Sequence, residues 1–141
     1  MNHINTPRWG QLLLVAVALV GLSFSSPPVA QDADIRMCAV EDEATTCPTD
    51  NPVFASDAKR ILISVSSTTF QAGDEVRFAW YRIDDDELFS TYLGTVYQQT
   101  SSQESSASLP TDVEVLPGRY EVIVHLPRSD RPVIKNFKVL D

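Results

Sequence analysis

Alternation of apolar and polar positions is the dominant pattern in this chain. In residues 116–126, LPGRYEVIVHL, Tyr120, Val122, Val124 and Leu126 fall on one side, and Glu121, Ile123 and His125 fall on the other. That period of two predicts a half-buried strand. Residues 75–83, EVRFAWYRI, place Val76, Phe78 and Trp80 on one face and Arg77, Ala79 and Tyr81 on the other. Residues 60–66 line up Ile61, Ile63 and Val65, and residues 133–140 set Val133, Lys135, Phe137 and Val139 against Ile134, Asn136, Lys138 and Leu140. Phe137 and Val139 are the expected core members of that last strand. Turn chemistry punctuates the runs: Gln71-Ala72-Gly73-Asp74 precedes the second, and Pro117-Gly118 precedes the strand at Tyr120. In such a corner proline presets φ and glycine accepts the positive φ that follows.

Other stretches are less regular. Residues 88–98, LFSTYLGTVYQ, are rich in β-branched and aromatic residues, but Leu88, Tyr92 and Val96 compete with Phe89, Leu93 and Tyr97 for the buried face. Gly94 predicts a bend or bulge there. Residues 98–108 are almost entirely Gln, Ser and Thr, which predicts a flexible loop or a polar edge strand. Residues 31–58 are acidic, carry Pro48 and Pro52, and read as an irregular arm with a short strand over residues 52–55. No helical period follows the N-terminal apolar run. The expected fold is all-β, an antiparallel sandwich of six or seven strands over residues 59–141, preceded by the arm.

The first thirty residues read as an address. Arg8 precedes an apolar run over residues 12–22, followed by small residues and proline, the pattern of a secretory signal peptide spanning residues 1–30. The run is well short of the roughly twenty residues that cross a bilayer as a helix. The expectation is a secreted or periplasmic protein with no stable membrane insertion after cleavage. The formal net charge is −8, and losing Arg8 with the leader makes it one unit more negative. An acidic surface repels nucleic acid, whose binding rests on basic patches and counterion release. In an oxidising compartment the two cysteines, Cys38 and Cys47, are expected to pair and pin the arm.

The run Leu116-Pro117-Gly118-Arg119-Tyr120-Glu121-Val122 resembles the tyrosine corner of immunoglobulin-like and fibronectin type III-like sandwiches, and Trp80 stands where those folds bury a tryptophan. Val122 occupies the place of the second core cysteine of antibody-type domains. The resemblance therefore implies a cysteine-free relative with Trp80, Tyr120, Val122 and Phe137 in its core. Residues 52–140 also resemble a group of uncharacterised bacterial exported domains. The likeness implies a fold and brings no catalytic residues.

Candidate chemistry is sparse. Asp84, Asp85, Asp86 and Glu87 are a carboxylate cluster that suits calcium as hard oxygen ligands, though a solvated turn has the same composition. His125 has no nucleophile motif or second histidine in the exported part to organise a general base around it. Glu41, Asp42 and Glu43 would serve as paired carboxylates only at a rigid cleft. Two cysteines and one imidazole do not complete a zinc site. No catalytic residue, metal or cofactor is expected. Arg77, Tyr81 and Tyr92 form a candidate binding strip, since Tyr and Arg are enriched at interface hot spots. The expected function is a non-enzymatic interaction module with another exported or envelope protein as partner. A small-ligand module for carbohydrate or calcium, or an inhibitor of an exported hydrolase, are the alternatives.

Overall fold

The computed structural model describes residues 33–83 and 89–141. The expected signal peptide, and the carboxylates Asp84, Asp85, Asp86 and Glu87, lie outside them. The described chain is all-β, with eight strands: β1 (Asp34–Ala39), β2 (Val53–Ala55), β3 (Ile61–Ser66), β4 (Glu75–Ile83), β5 (Ser90–Gln99), β6 (Glu104–Ser108), β7 (Gly118–His125) and β8 (Val133–Leu140). They form a three-stranded sheet in the order β1-β3-β6 and a five-stranded sheet in the order β2-β8-β7-β4-β5. Every pairing is antiparallel except β2 with β8.

The inner faces of the two sheets share one apolar core. Met37, Ile61, Ile63, Val65 and Ala107 come from the smaller sheet, and Val76, Phe78, Trp80, Tyr120, Val122, Val124, Phe137 and Val139 from the larger. Phe137 is the hub: its ring stacks on Tyr120 at 5.0 Å and meets Trp80 and Phe54 edge-on at 5.9 and 5.8 Å. Trp80, at 0 % exposure, has no hydrogen-bond partner for its indole Nε1. Tyr120 is 1 % exposed, and its hydroxyl donates to the Leu116 carbonyl at 2.5 Å while accepting the Leu116 N–H at 3.1 Å. The ring fills the core and the hydroxyl closes the bend into β7. Gly118, at φ +148°, sits at that bend in a region that L side chains rarely adopt.

Two expectations are corrected. The strand count is eight rather than six or seven, and the fold begins at β1 rather than near residue 59, because the supposed irregular arm supplies β1 as well as the short strand expected at residues 52–55. β1 runs the full length of β3, pairing Asp34 with Ser66 and Ala39 with Ile61. Met37 is fully buried beneath it. The chain then folds back: Asn51 N–H donates to the Met37 carbonyl at 2.8 Å and Asp50 Oδ1 accepts the Met37 N–H at 2.9 Å. Burial alone would push the Asp50 carboxyl up, but the Lys135 ammonium and the Met37 N–H on it bring it below the usual carboxylate range. The Cys38–Cys47 disulfide forms as expected and covers Leu62, a β3 residue on the outer face that is nonetheless 0 % exposed. Arg60 holds the same loop by donating to the carbonyls of Asp42 and Ala44.

Candidate functional site

The outer face of the five-stranded sheet can be laid out rung by rung, because residues directly opposite in a ladder point to the same side. One rung reads Asn136, Glu121, Tyr81, Tyr92 across β8, β7, β4 and β5; the next reads Ile134, Ile123, Ala79, Thr95; a third reads His125, Arg77, Tyr97. At the other end, Val53, Lys138, Arg119, Ile83 and Ser90 form a rung across all five strands. An open groove of about 670 Å³ lies over that end, lined by Val53, Phe89, Arg119 and Lys138 among others.

Three tyrosines share this face, two of them in contact. Tyr81 and Tyr92 are cross-strand neighbours with ring centroids 5.5 Å apart at a 56° tilt. Tyr92 and Tyr97 are 57 % and 58 % exposed. The Tyr92 hydroxyl shares a 2.7 Å hydrogen bond with Thr95 Oγ1, which tethers the ring to its own strand. Arg77 stands between Tyr97 and His125 on its rung. Burial and the Arg77 charge hold the His125 imidazole below its ordinary range. Of the eight exposed large hydrophobic residues among those described, Val53, Tyr92, Tyr97, Ile134 and Leu140 share this face by register, which makes it the apolar side of the surface.

The structure thus places Arg77, Tyr81 and Tyr92 on one face, with Arg77 two rungs from the tyrosine pair. It adds, beside Arg77, Tyr97, which the sequence pattern alone did not assign. The reason is the register. β5 carries a bulge opposite Trp80 and Tyr81: Trp80 pairs with Gly94 and Tyr81 with Tyr92, leaving Leu93 over. Gly94, at φ +151°, supplies the conformation, and a side chain there would meet Pro110 at 3.1 Å. Without the bulge, Tyr92 and Tyr97 would face opposite sides. The glycine was the signal that could have found this.

Other candidates are kept apart. Trp80, Tyr120, Val122 and Phe137 are buried and offer no surface. Glu41, Asp42 and Glu43 are exposed in the disulfide loop, which covers the outer face of the smaller sheet, whereas His125 is on the outer face of the larger one. They share no cleft. Among the described residues, no group of three His, Cys, Asp or Glu side chains is placed to hold a metal ion. Nor is any helix there long and apolar enough to cross a membrane.

No protein-family model matches the chain. No curated protein matches it either. Solved structures similar to it include the sensor domain of the anti-sigma factor RsgI4 in Pseudobacteroides cellulosolvens, with TM-score 0.39 and 14 % identity over 77 % of this chain and 94 % of that one. Another is the Pseudomonas fluorescens alkylpurine DNA glycosylase AlkC bound to DNA containing an abasic site analog, with TM-score 0.37 and 15 % identity over 77 % of this chain and 30 % of that one. At these TM-scores neither likeness bears on function. The class established by the chain itself is an all-β protein of two sheets with one disulfide.

Proposed function

We propose that this protein is an exported, immunoglobulin-like, non-enzymatic interaction module that engages another exported or envelope protein through the outer face of its five-stranded sheet. Three features support the immunoglobulin-like part. The β8-β7-β4 neighbourhood extended by β5, against β1-β3-β6, follows the strand order of such folds. Trp80 is buried on β4, and the Tyr120 hydroxyl bonds back to Leu116 at the β6–β7 corner. The disulfide is compatible with an oxidising compartment.

The observation that carries the functional reading is the gathering of Tyr81, Tyr92, Tyr97 and Arg77 on one solvated sheet face. Tyr offers large contact area at low conformational cost, and Arg is its usual companion at interface centres. The test is cross-linking in envelope extract from the source organism, comparing the wild type with Tyr81→Ser/Tyr92→Ser. One protein captured near stoichiometry by the wild type and lost in the variant supports the reading. Equal capture by both would move the interface elsewhere.

The exposed ring of Tyr92, tethered through Thr95, also favours a second reading, a carbohydrate module in which a sugar ring stacks on tyrosine. A thermal shift with neutral oligosaccharides separates the two, since a ligand bound by the native state alone raises its stability.

A further inference from the structure

Sheet edges present unpaired backbone N–H and C=O groups, and proteins blunt them with short strands, charges, bulges or covering chain. Three of the four edges among the described residues are managed in this way. β1 is covered by the returning chain at Asp50 and Asn51. β2 is three residues long, and β6 is five residues long and opens with the charged Glu104. β5 is different. It is ten residues long and ends the larger sheet. In a chain of net charge −8, no charged residue occurs anywhere in residues 89–103.

The bulge at Leu93 divides this edge. Beyond it, residues 95–99 (Thr-Val-Tyr-Gln-Gln) run in unbroken register against β4, with Thr95 opposite Ala79 and Gln99 opposite Glu75. Tyr97, at the centre, is 58 % exposed. Self-complementarity selects the occupant of this edge, because an antiparallel strand edge is its own partner about a two-fold axis. The absence of charge lets two acidic copies approach there. Two strongly acidic molecules repel over most of their surfaces, and they meet with least repulsion where neither carries a charge.

We propose that two copies of this chain associate by pairing residues 95–99 of β5 edge to edge and antiparallel, around a two-fold axis at Tyr97. An isologous contact of this kind closes as a dimer and leaves no new open edge at the joint. In this register Thr95 faces Gln99 of the second copy, and Tyr97 faces its own counterpart, an aromatic cross-strand pair on the outer face. The two tyrosine-bearing faces then join into one surface. The inference does not depend on what that surface binds.

The test uses the full-length product, expressed through an oxidising export route and purified as it accumulates. Sedimentation velocity from micromolar to millimolar concentration should show a reversible monomer–dimer equilibrium. Amide exchange should slow with concentration within residues 95–99 and nowhere else. Tyr97→Phe should dimerise like the wild type. Tyr97→Glu, which faces Arg77 within its own chain, should keep the thermal midpoint and weaken the dimer by about tenfold or more. If that variant misfolds, Thr95→Lys/Gln99→Lys opposes like charges on the same register and serves instead. A protein monomeric at every concentration overturns the proposal. So does a dimer that these substitutions leave intact, or one whose exchange protection falls on other strands.

Discussion

Arg128 grips Asp74 as a two-pronged fork, with Nη1 2.9 Å from Oδ1 and Nη2 3.0 Å from Oδ2. The same guanidinium donates to the Thr69 carbonyl at 2.8 Å, and Asp74 Oδ2 also accepts the Gln71 N–H at 2.8 Å. Bidentate pairing of this kind adds geometric specificity to charge. It ties the turn before β4 to the turn after β7, and it holds Arg128 at φ +57°, a left-handed conformation uncommon for a residue with a side chain. One end of the larger sheet is fastened by this contact.

The fork makes acid sensitivity local. The hydrogen bond from Arg128 holds the Asp74 carboxyl below the usual carboxylate range, with the Gln71 N–H adding to it. A carboxyl whose folded pKa is depressed contributes stability that is fully present above its unfolded value of about 3.9, and that is lost as pH falls through the lower folded value. Carbon-detected NMR titration of Asp74 should therefore give a midpoint below that of an unpaired aspartate. Arg128→Ala should move the midpoint upward, and an unchanged midpoint would show that the fork does not set it.

Tyr120→Phe removes a hydroxyl that serves the Leu116 N–H and carbonyl together while leaving the ring stacked on Phe137. Leaving part-buried backbone groups without their partner costs about 1–3 kcal/mol. Urea unfolding should show a lower midpoint with the slope unchanged, because the surface exposed on unfolding is the same. A midpoint equal to wild type would mean that water replaces the hydroxyl without loss.

Much of this architecture is written in the sequence, and the parts that are not have physical reasons. The strands carrying Tyr120 and Phe137 alternate because one face meets the core and the other is more open. Those carrying Ile61 and Trp80 keep the same inward set, although Leu62 and Ala79 on their outer faces are also buried. β1 escapes that reading: its inward pair, Ile35 and Met37, is too short a signal between Asp34 and Arg36, and its burial depends on β3 and on chain folding back from residue 50. Leu62 reads as an outward residue and is buried only because the disulfide loop lies over it. In β5 the bulge reverses the alternation at Leu93, so neither phase of the apolar residues fits the whole strand. The tyrosine face was half legible for the same reason. Arg77, Tyr81 and Tyr92 follow from β4 and its partner, while Tyr97 joins them only once the bulge is placed.

Trp80 separates volume from polarity. Trp80→Ala empties the largest fully buried side chain beside Phe137 and should cost about 3–5 kcal/mol. Trp80→Phe keeps most of the apolar volume and also removes an indole N–H that has no partner, so it should lose less than half as much. Chemical denaturation of both variants checks the ordering. Equal losses would mean that the indole ring edge, rather than bulk volume, is what the core needs.

The disulfide does more than shorten the unfolded chain. Closing the loop between Cys38 and Cys47 limits the unfolded ensemble by about 2–3 kcal/mol on the chain-entropy account. In the folded protein the same loop covers Leu62, and the chain following it covers the edge of β1 through Asp50 and Asn51. Cys38→Ser/Cys47→Ser should therefore lower the unfolding free energy by about that entropic amount or more. It should also speed amide exchange in β1 ahead of β7 and β8, because β1 pairs only with β3 and relies on the returning chain for its other side. Uniform acceleration across all strands would instead place the whole effect in the unfolded state. Faster exchange confined to β1 would mark the loop as the clamp that keeps the smaller sheet's outer strand in place.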